Sequence, residues 1–157
     1  MKLQAKRLNE TAILPTRANA NDAGLDLYAL SDVFIPVGGS VRVPTGIAFN
    51  VPSGTYIQIA DRSSLAVKGL RTGAGVVDTG YQGDVSVVLH NLNNTSSGYY
   101  DFDSTNSYNT FQKGYKIKKG DKIAQAILIP ILTPELEEVT EFAPSERGDR
   151  GFGSSGR

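Results

Sequence analysis

Gly75-Val-Val-Asp78-Thr-Gly80-Tyr81-Gln-Gly83-Asp-Val-Ser-Val-Val-Leu-His-Asn91 is the stretch that decides the fold class. Two apolar, β-branched runs flank a glycine-bounded turn, the pattern of a β-hairpin. The same grammar repeats on either side. Val33-Phe-Ile-Pro36, Ser40-Val-Arg-Val43, Gly46–Val51, Tyr56-Ile-Gln-Ile59 and Ile123–Ile129 read as strands. Gly38-Gly39, Pro52-Ser-Gly54 and Lys119-Gly120-Asp121 read as the turns between them. Short strands at regular spacing predict an all-β sandwich or jelly-roll-like barrel. One short helix is expected at Ser64-Leu-Ala-Val-Lys68, with Ser63 or Ser64 as its cap and Gly69 as its terminator.

With 157 residues and 39% hydrophobic composition, a single domain over 1–157 can build its own core. Lys and Arg number 16 against 16 acids, so no global field favours nucleic acid or an anionic membrane, and neither is an expected partner. Any anion must be held by local donors. The chain has no cysteine and one histidine, which excludes disulfides, thiolate chemistry and multi-His metal sites. Its first residues lack a signal-peptide core and no apolar run reaches membrane length, so a cytoplasmic location is expected.

Two regions depart from the strand pattern. Residues 92–114 are rich in Asn, Ser, Thr, Asp, Gly and Tyr, and residues 144–157 form a Gly- and Ser-rich tail that cannot bury a core face. The tail reads as a flexible arm that a ligand would order.

Several clusters carry chemical potential. In Asp61-Arg-Ser-Ser-Leu, the start of a short helix offers free N–H groups beside the forked donor of Arg62 and the hydroxyls of Ser63 and Ser64, which suits a phosphate; an ordinary cap beside a surface Arg fits equally. On the 75–91 stretch, Asp78 ends the first strand and Tyr81 sits at the tip. Backbone donors and acceptors of Gly75, Val76 and Val77 could read a flat base, Asp78 could orient a water, and Tyr81 could pack on a sugar. A turn-forming Asp with a covering Tyr is the plainer alternative. In the tail, Arg147 suits a terminal phosphate, Phe152 a stacked base, and Gly153, Ser154 and Ser155 a phosphate wrap. Asp26, inward on a strand, needs a partner such as an Arg or a hydrated cation. Gln125 shares facing parity with Ile123, Ile127 and Ile129 and needs a hydrogen-bond partner on that face.

Taken in order, these five segments resemble the five motifs of the trimeric dUTPase family, across nearly the whole chain. The resemblance implies a jelly-roll-like β-barrel of the dUTPase-like β-clip type, forming a homotrimer with an exchanged C-terminal arm. It implies hydrolysis of dUTP to dUMP and pyrophosphate with Mg²⁺, keeping uracil out of DNA and supplying dUMP. Asp78 then positions the attacking water, Tyr81 packs on deoxyribose, and Gly75 to Asp78 with the facing arm near Ser86 read uracil. Arg62, Ser63, Ser64 and Gln125 contact phosphates, Arg147 and Phe152 serve γ-phosphate and base, and Gly153 to Ser155 wrap the triphosphate. Asp26 falls near the trimer axis and touches the metal through water only, the triphosphate being the metal's main holder. Each family site draws on all three subunits.

Departures are Asp61, where the family commonly has proline, Ser64 for a common glycine, and Gly80 where many members have a second acid. The 92–114 insert stands where compact members make a short turn. Its Tyr, Ser, Asn and Gly content is one that contact loops favour. Some phage members carry an insert here and use such surfaces against host or mobile-element regulators, so a regulatory partner through 92–114 is one expectation and a solvated extension the other. The related dCTP deaminases have a glutamate at the position of Val88, which leaves deamination without its proton shuttle here.

Overall fold

The structure, a computed structural model, describes residues 2–94, 114–146 and 148–149. Among them it forms eleven strands and one short helix: β1 Gln4–Arg7, β2 Leu25–Tyr28, β3 Val33–Pro36, β4 Ser40–Val43, β5 Ile47–Asn50, β6 Thr55–Ala60, α1 Ser63–Ala66, β7 Leu70–Gly73, β8 Val76–Val77, β9 Val87–Asn91, β10 Gly114–Ile117 and β11 Lys122–Pro130. No helix among the described residues is long and apolar enough to cross a membrane. The all-β, barrel-like expectation holds.

Four small antiparallel sheets wrap one core. Their orders are β2-β11-β6-β8, β4-β9-β7, β1-β5 and β10-β3. Alternation explains the inside: Thr55, Ile57 and Ile59 of β6 are buried while Tyr56, Gln58 and Ala60 are half-buried, and Val87, Leu89 and Asn91 of β9 alternate likewise. Leu27, Ile57, Leu89, Ile117 and Ile123 are fully enclosed, and each contributes roughly 1.5–3 kcal/mol of apolar burial.

Three sequence expectations change. The 75–91 stretch is not a paired hairpin. β8 pairs with β6, β9 pairs with β4 and β7, and no ladder joins β8 to β9 among the described residues. The connection from Asp78 to Ser86 is too long for a tight turn, and Val85 N–H instead reaches the Ile47 carbonyl at 2.8 Å, steering the second arm into another sheet. The helix begins one residue early. Its N-cap is Arg62, whose carbonyl accepts from Leu65 and Ala66 at 2.9 Å, and no side chain caps it. It also ends earlier than expected, at Ala66 with Val67 as C-cap, and Gly69, at φ 76°, closes the turn that follows. Finally, Gln125 does not share a face with Ile123. A bulge between Lys122 and Ala124 breaks the parity, so Ala124 and Ala126 fill the core while Gln125 and Ile127 lie on the half-buried outer face.

Of the 92–114 stretch, residues 95–113 lie outside the described residues. Its end is shorter than composition suggested, because Gly114 and Tyr115 belong to β10, opposite Pro36 and Ile35. Both roots meet the end of α1. Asn93 Nδ2 donates to the Lys68 carbonyl at 2.7 Å, and Lys68 Nζ donates to the Tyr115 hydroxyl at 3.2 Å.

Candidate active site

Asp26 is the buried centre of one cluster. On β2 it stands opposite Gln125 of β11, and its N–H donates to the Thr16 carbonyl at 2.8 Å. Lys122 Nζ lies 2.7 Å from one carboxylate oxygen and Arg62 Nε 3.1 Å from the other. Burial alone would raise the Asp26 pKa. The Lys122 hydrogen bond, the Arg62 and Lys122 charges and the Gln125 amide outweigh it, so the group is held below the usual Asp value. The same contact raises Lys122. Arg62, one of the partners the sequence offered for Asp26, is in place, and Lys122 joins it.

Arg62 is accordingly turned inward. Beyond Asp26 it donates to the Lys122 carbonyl at 3.2 Å, while Ser63 and Ser64 stay exposed at the start of α1. Gly24 backs onto Gln125, with space for no side chain: a Cβ there would stand 2.9 Å from Gln125 Cδ. Asp26, Arg62 and Gln125, from three separate sequence segments, therefore meet in one subunit.

The base-reading candidates sit elsewhere. β8 is the edge of its sheet. Ile59 N–H donates to the Gly75 carbonyl at 2.7 Å, and the register pairs Gln58 with Val76 and Ile57 with Val77. Antiparallel bonding alternates, so Gly75 and Val77 turn their polar groups to β6 while the N–H and C=O of Val76 face the open edge. The side chains alternate as well, across the two faces of the sheet, Val77 being buried and Val76 59% exposed.

Asp78 follows directly, exposed, and its carboxylate has no partner among the described residues. The neighbouring acids differ. Asp61 is engaged by Thr72 and Arg71, and Asp84 by Gly46 N–H and the Ser86 hydroxyl. Tyr81 donates its hydroxyl to the Asp84 carbonyl at 3.0 Å, which lays its exposed ring over Gly83. Ser86 spends its hydroxyl on Asp84 and offers less to a ligand than expected.

The two clusters stand apart in one chain. Following the register, Asp78 falls level with Tyr56 of β6 and Gln125 opposite Ala60, two strands away. With about 3.3 Å per residue along a strand and about 4.8 Å between strands, they lie on the order of 16 Å apart. Arg147, Phe152, Gly153, Ser154 and Ser155 lie outside the described residues. No group of three or more His, Cys, Asp or Glu that could hold a metal occurs among the described residues. Because Asp26 is already neutralised by two cations, these side chains do not fit a protein-built Mg²⁺ site.

Sequence reasoning missed Gln58, Asp61 and Lys122. Gln58 was hidden inside a strand pattern, and Asp61 was visible only as a departure from a commoner proline.

Comparison with known proteins agrees with the fold. A family model described as dUTPase matches residues 10–97 and 105–156. A deoxyuridine 5'-triphosphate nucleotidohydrolase of Paramecium bursaria Chlorella virus 1 is 41% identical over 155 residues, covering 98% of this chain and 97% of the relative. The solved dUTPase of Staphylococcus bacteriophage 80alpha with dUPNHPP superposes with TM-score 0.87 at 32% identity, covering 99% of both chains; it is described in connection with phage dUTPases controlling transfer of virulence genes by a G protein-like mechanism. A point mutant of the dUTPase from phage phi11 of S. aureus, described for coordination of a structural Mg(II) ion, superposes with TM-score 0.80 at 30% identity, covering 92% of this chain and 100% of that one.

Proposed function

The chain belongs to the dUTPase family and is a dUTP diphosphatase, and from that premise we propose how its residues divide the hydrolysis of dUTP to dUMP and pyrophosphate. Asp78 holds a water in line with the α-phosphorus. The water oxygen forms the new P–O bond as the bond to the bridging oxygen of pyrophosphate breaks, and Asp78 takes up the water's proton. The observation that carries this role is its carboxylate, exposed beside an open strand edge and unengaged while Asp26, Asp61 and Asp84 are all bound. Catalysis is then positioning and charge neutralisation, with no covalent intermediate.

Uracil is read by the outward N–H and C=O of Val76, a donor and an acceptor matched to a carbonyl and the N3–H of the base. Cytosine would leave one of these unpaired, which permits strong discrimination. Tyr81 packs on the deoxyribose. Ser63, Ser64 and Gln125 meet the phosphates, with Arg62 holding that run against Asp26. Arg147, Phe152 and Gly153 to Ser155 close over γ-phosphate, base and triphosphate. Mg²⁺ would be held by the substrate's phosphates rather than by these side chains, and would supply charge neutralisation there.

The site is shared between subunits of a homotrimer. Asp78 and Gln125 stand about 16 Å apart in one chain, a separation that favours Asp78 of one protomer meeting the phosphate run of another. The C-terminal arm supports the exchange. Leu132, Leu136 and Phe142 are 94%, 100% and 91% exposed, apolar side chains that find nothing to cover in their own protomer. The phage relative's description, control of transfer of virulence genes, supports a second role, which we assign to the 92–114 stretch: engaging a regulatory protein of a host or mobile element.

A pyrophosphate-release assay over dUTP, dCTP, dTTP and UTP with Mg²⁺ tests the reading. Release from dUTP alone is expected; release from none, or equally from all four, overturns it.

A further inference from the structure

The base-reading edge depends on an awkward piece of backbone. β7 pairs with β9 through Gly73, and after two intervening residues the chain pairs with β6 as β8. The switch between sheets occurs at Ala74, whose φ of 51° lies in the left-handed region. A residue with a Cβ keeps that conformation only when its surroundings over-determine it.

They do so from both sides. One residue later, the Gly75 carbonyl accepts from Ile59 N–H at 2.7 Å and Gln58 Nε2 at 3.1 Å. Two residues earlier, Asp61 Oδ1 accepts from Thr72 N–H at 2.6 Å and from the Thr72 hydroxyl at 2.8 Å. The other Asp61 oxygen pairs with Arg71 Nε at 2.7 Å. All of these grips come from β6 and the residue just past it.

We propose that Asp61 is a positioning residue for the base site: by clamping Thr72 it fixes Ala74 and so aims the Val76 N–H and C=O that read uracil. It touches no substrate. Its effect falls on recognition of the base, and only slightly on the attack at phosphorus. The inference rests on the functional reading above.

Asp61→Ala and Asp61→Asn separate this role from plain stability. Asparagine keeps an oxygen for Thr72 and loses the charge facing Arg71; alanine keeps neither. Asp61→Ala should raise KM for dUTP about tenfold, leave kcat within about threefold, and shrink the dUTP-over-dCTP preference by at least tenfold. Asp61→Asn should restore most of both. An Asp61→Ala trimer with unchanged KM and base preference overturns the proposal while wild-type turnover keeps the functional reading intact. If Asp61→Ala fails to fold, Thr72→Val removes one of the two bonds to Asp61, and base preference equal to wild type in that variant overturns the proposal as well. Wild-type protein inert toward dUTP overturns both.

Discussion

Gln58 donates its side-chain amide to the Gly75 carbonyl at 3.1 Å, and a Cβ on Gly75 would stand 2.4 Å from that same nitrogen. The glycine is required by contact with its own neighbour, since the Ile59 carbonyl would be only 2.9 Å away as well. Gly75→Ala must therefore push β8 off β6. We expect a loss of about 1–3 kcal/mol in unfolding free energy and a fall in kcat/KM for dUTP of tenfold or more. Adding Gln58→Ala should recover only part, because the backbone clash remains. A double-mutant cycle with no coupling between the two positions would show that the contact is incidental.

Asp78→Asn tests the role of water positioning. The amide preserves size and leaves the Val76 edge in place, so dUTP binding should persist. Turnover should drop on the order of 10²–10⁴, the usual worth of a general base. Equilibrium binding of a non-hydrolysable dUTP analogue, set beside single-turnover rates, reads the two effects apart. Near-normal turnover would remove Asp78 from the mechanism.

The Asp26 cluster predicts an acid-sensitive fold. Its pKa is lowered on folding, so its stabilisation is complete above the ordinary Asp value and disappears as pH falls through the lower, folded value. Asp61 is lowered too and adds to the same limb. Lys122 works in the opposite direction: raised on folding, its contribution is full below the usual Lys value and fades only as pH climbs beyond that. Asp26→Asn should flatten the dependence of Tm on pH below about pH 4. At neutral pH it should cost about 1–3 kcal/mol, between the value of an exposed ion pair and that of a buried pair, because Arg62 and Lys122 keep partial solvent access. A Tm that tracks wild type from pH 3 to 7 would contradict the ion-pair account.

The insert offers a cleaner separation of roles. Its two roots, Asn93 and Tyr115, are both tied to Lys68 at the end of α1. Replacing 95–113 with a short Gly-Ser linker retains those ties. Turnover should stay within about threefold of wild type, since both clusters keep their geometry. Capture of a regulatory protein, where wild type shows it, should vanish. Lost activity with intact folding would mean that the insert belongs to the catalytic apparatus.

How far the sequence carries depends on which forces act locally. β3 and β4 are legible to the residue because alternation and flanking glycines act within a few positions. β1 is not: Gln4 to Arg7 are exposed throughout and owe their strand to pairing with β5, a partner some 40 residues away. β8 and β9 look like hairpin arms because the apolar runs are right, yet partner choice is a tertiary matter. Asp78 and Tyr81 stand out as candidates from motif and turn chemistry alone. Asp61 and Lys122 could not, since their meaning lies in Thr72 and Asp26, which only the folded chain brings near.

A shared site makes a quantitative prediction that no single-chain site can imitate. Take Asp78→Asn with an intact arm, and a second variant with native Asp78 but lacking residues 146–157. Each alone should form trimers of low activity. Refolded together in equal amounts, they assemble mixed trimers at random. Where Asp78 and the arm come from different protomers, a site works when the first is drawn from one variant and the second from the other, giving about a quarter of wild-type activity. Where both come from the same protomer, no mixture contains a competent site and the rate stays at the sum of the parents. Size-exclusion chromatography with light scattering establishes that mixed trimers formed. The exposed Leu132, Leu136 and Phe142 lie before the truncation point, so the shortened chain keeps the apolar part of the arm and should still assemble. Activity that fails to rise in confirmed mixed trimers would show that Asp78 and the arm serve a site from the same protomer, and would overturn the exchange of the arm.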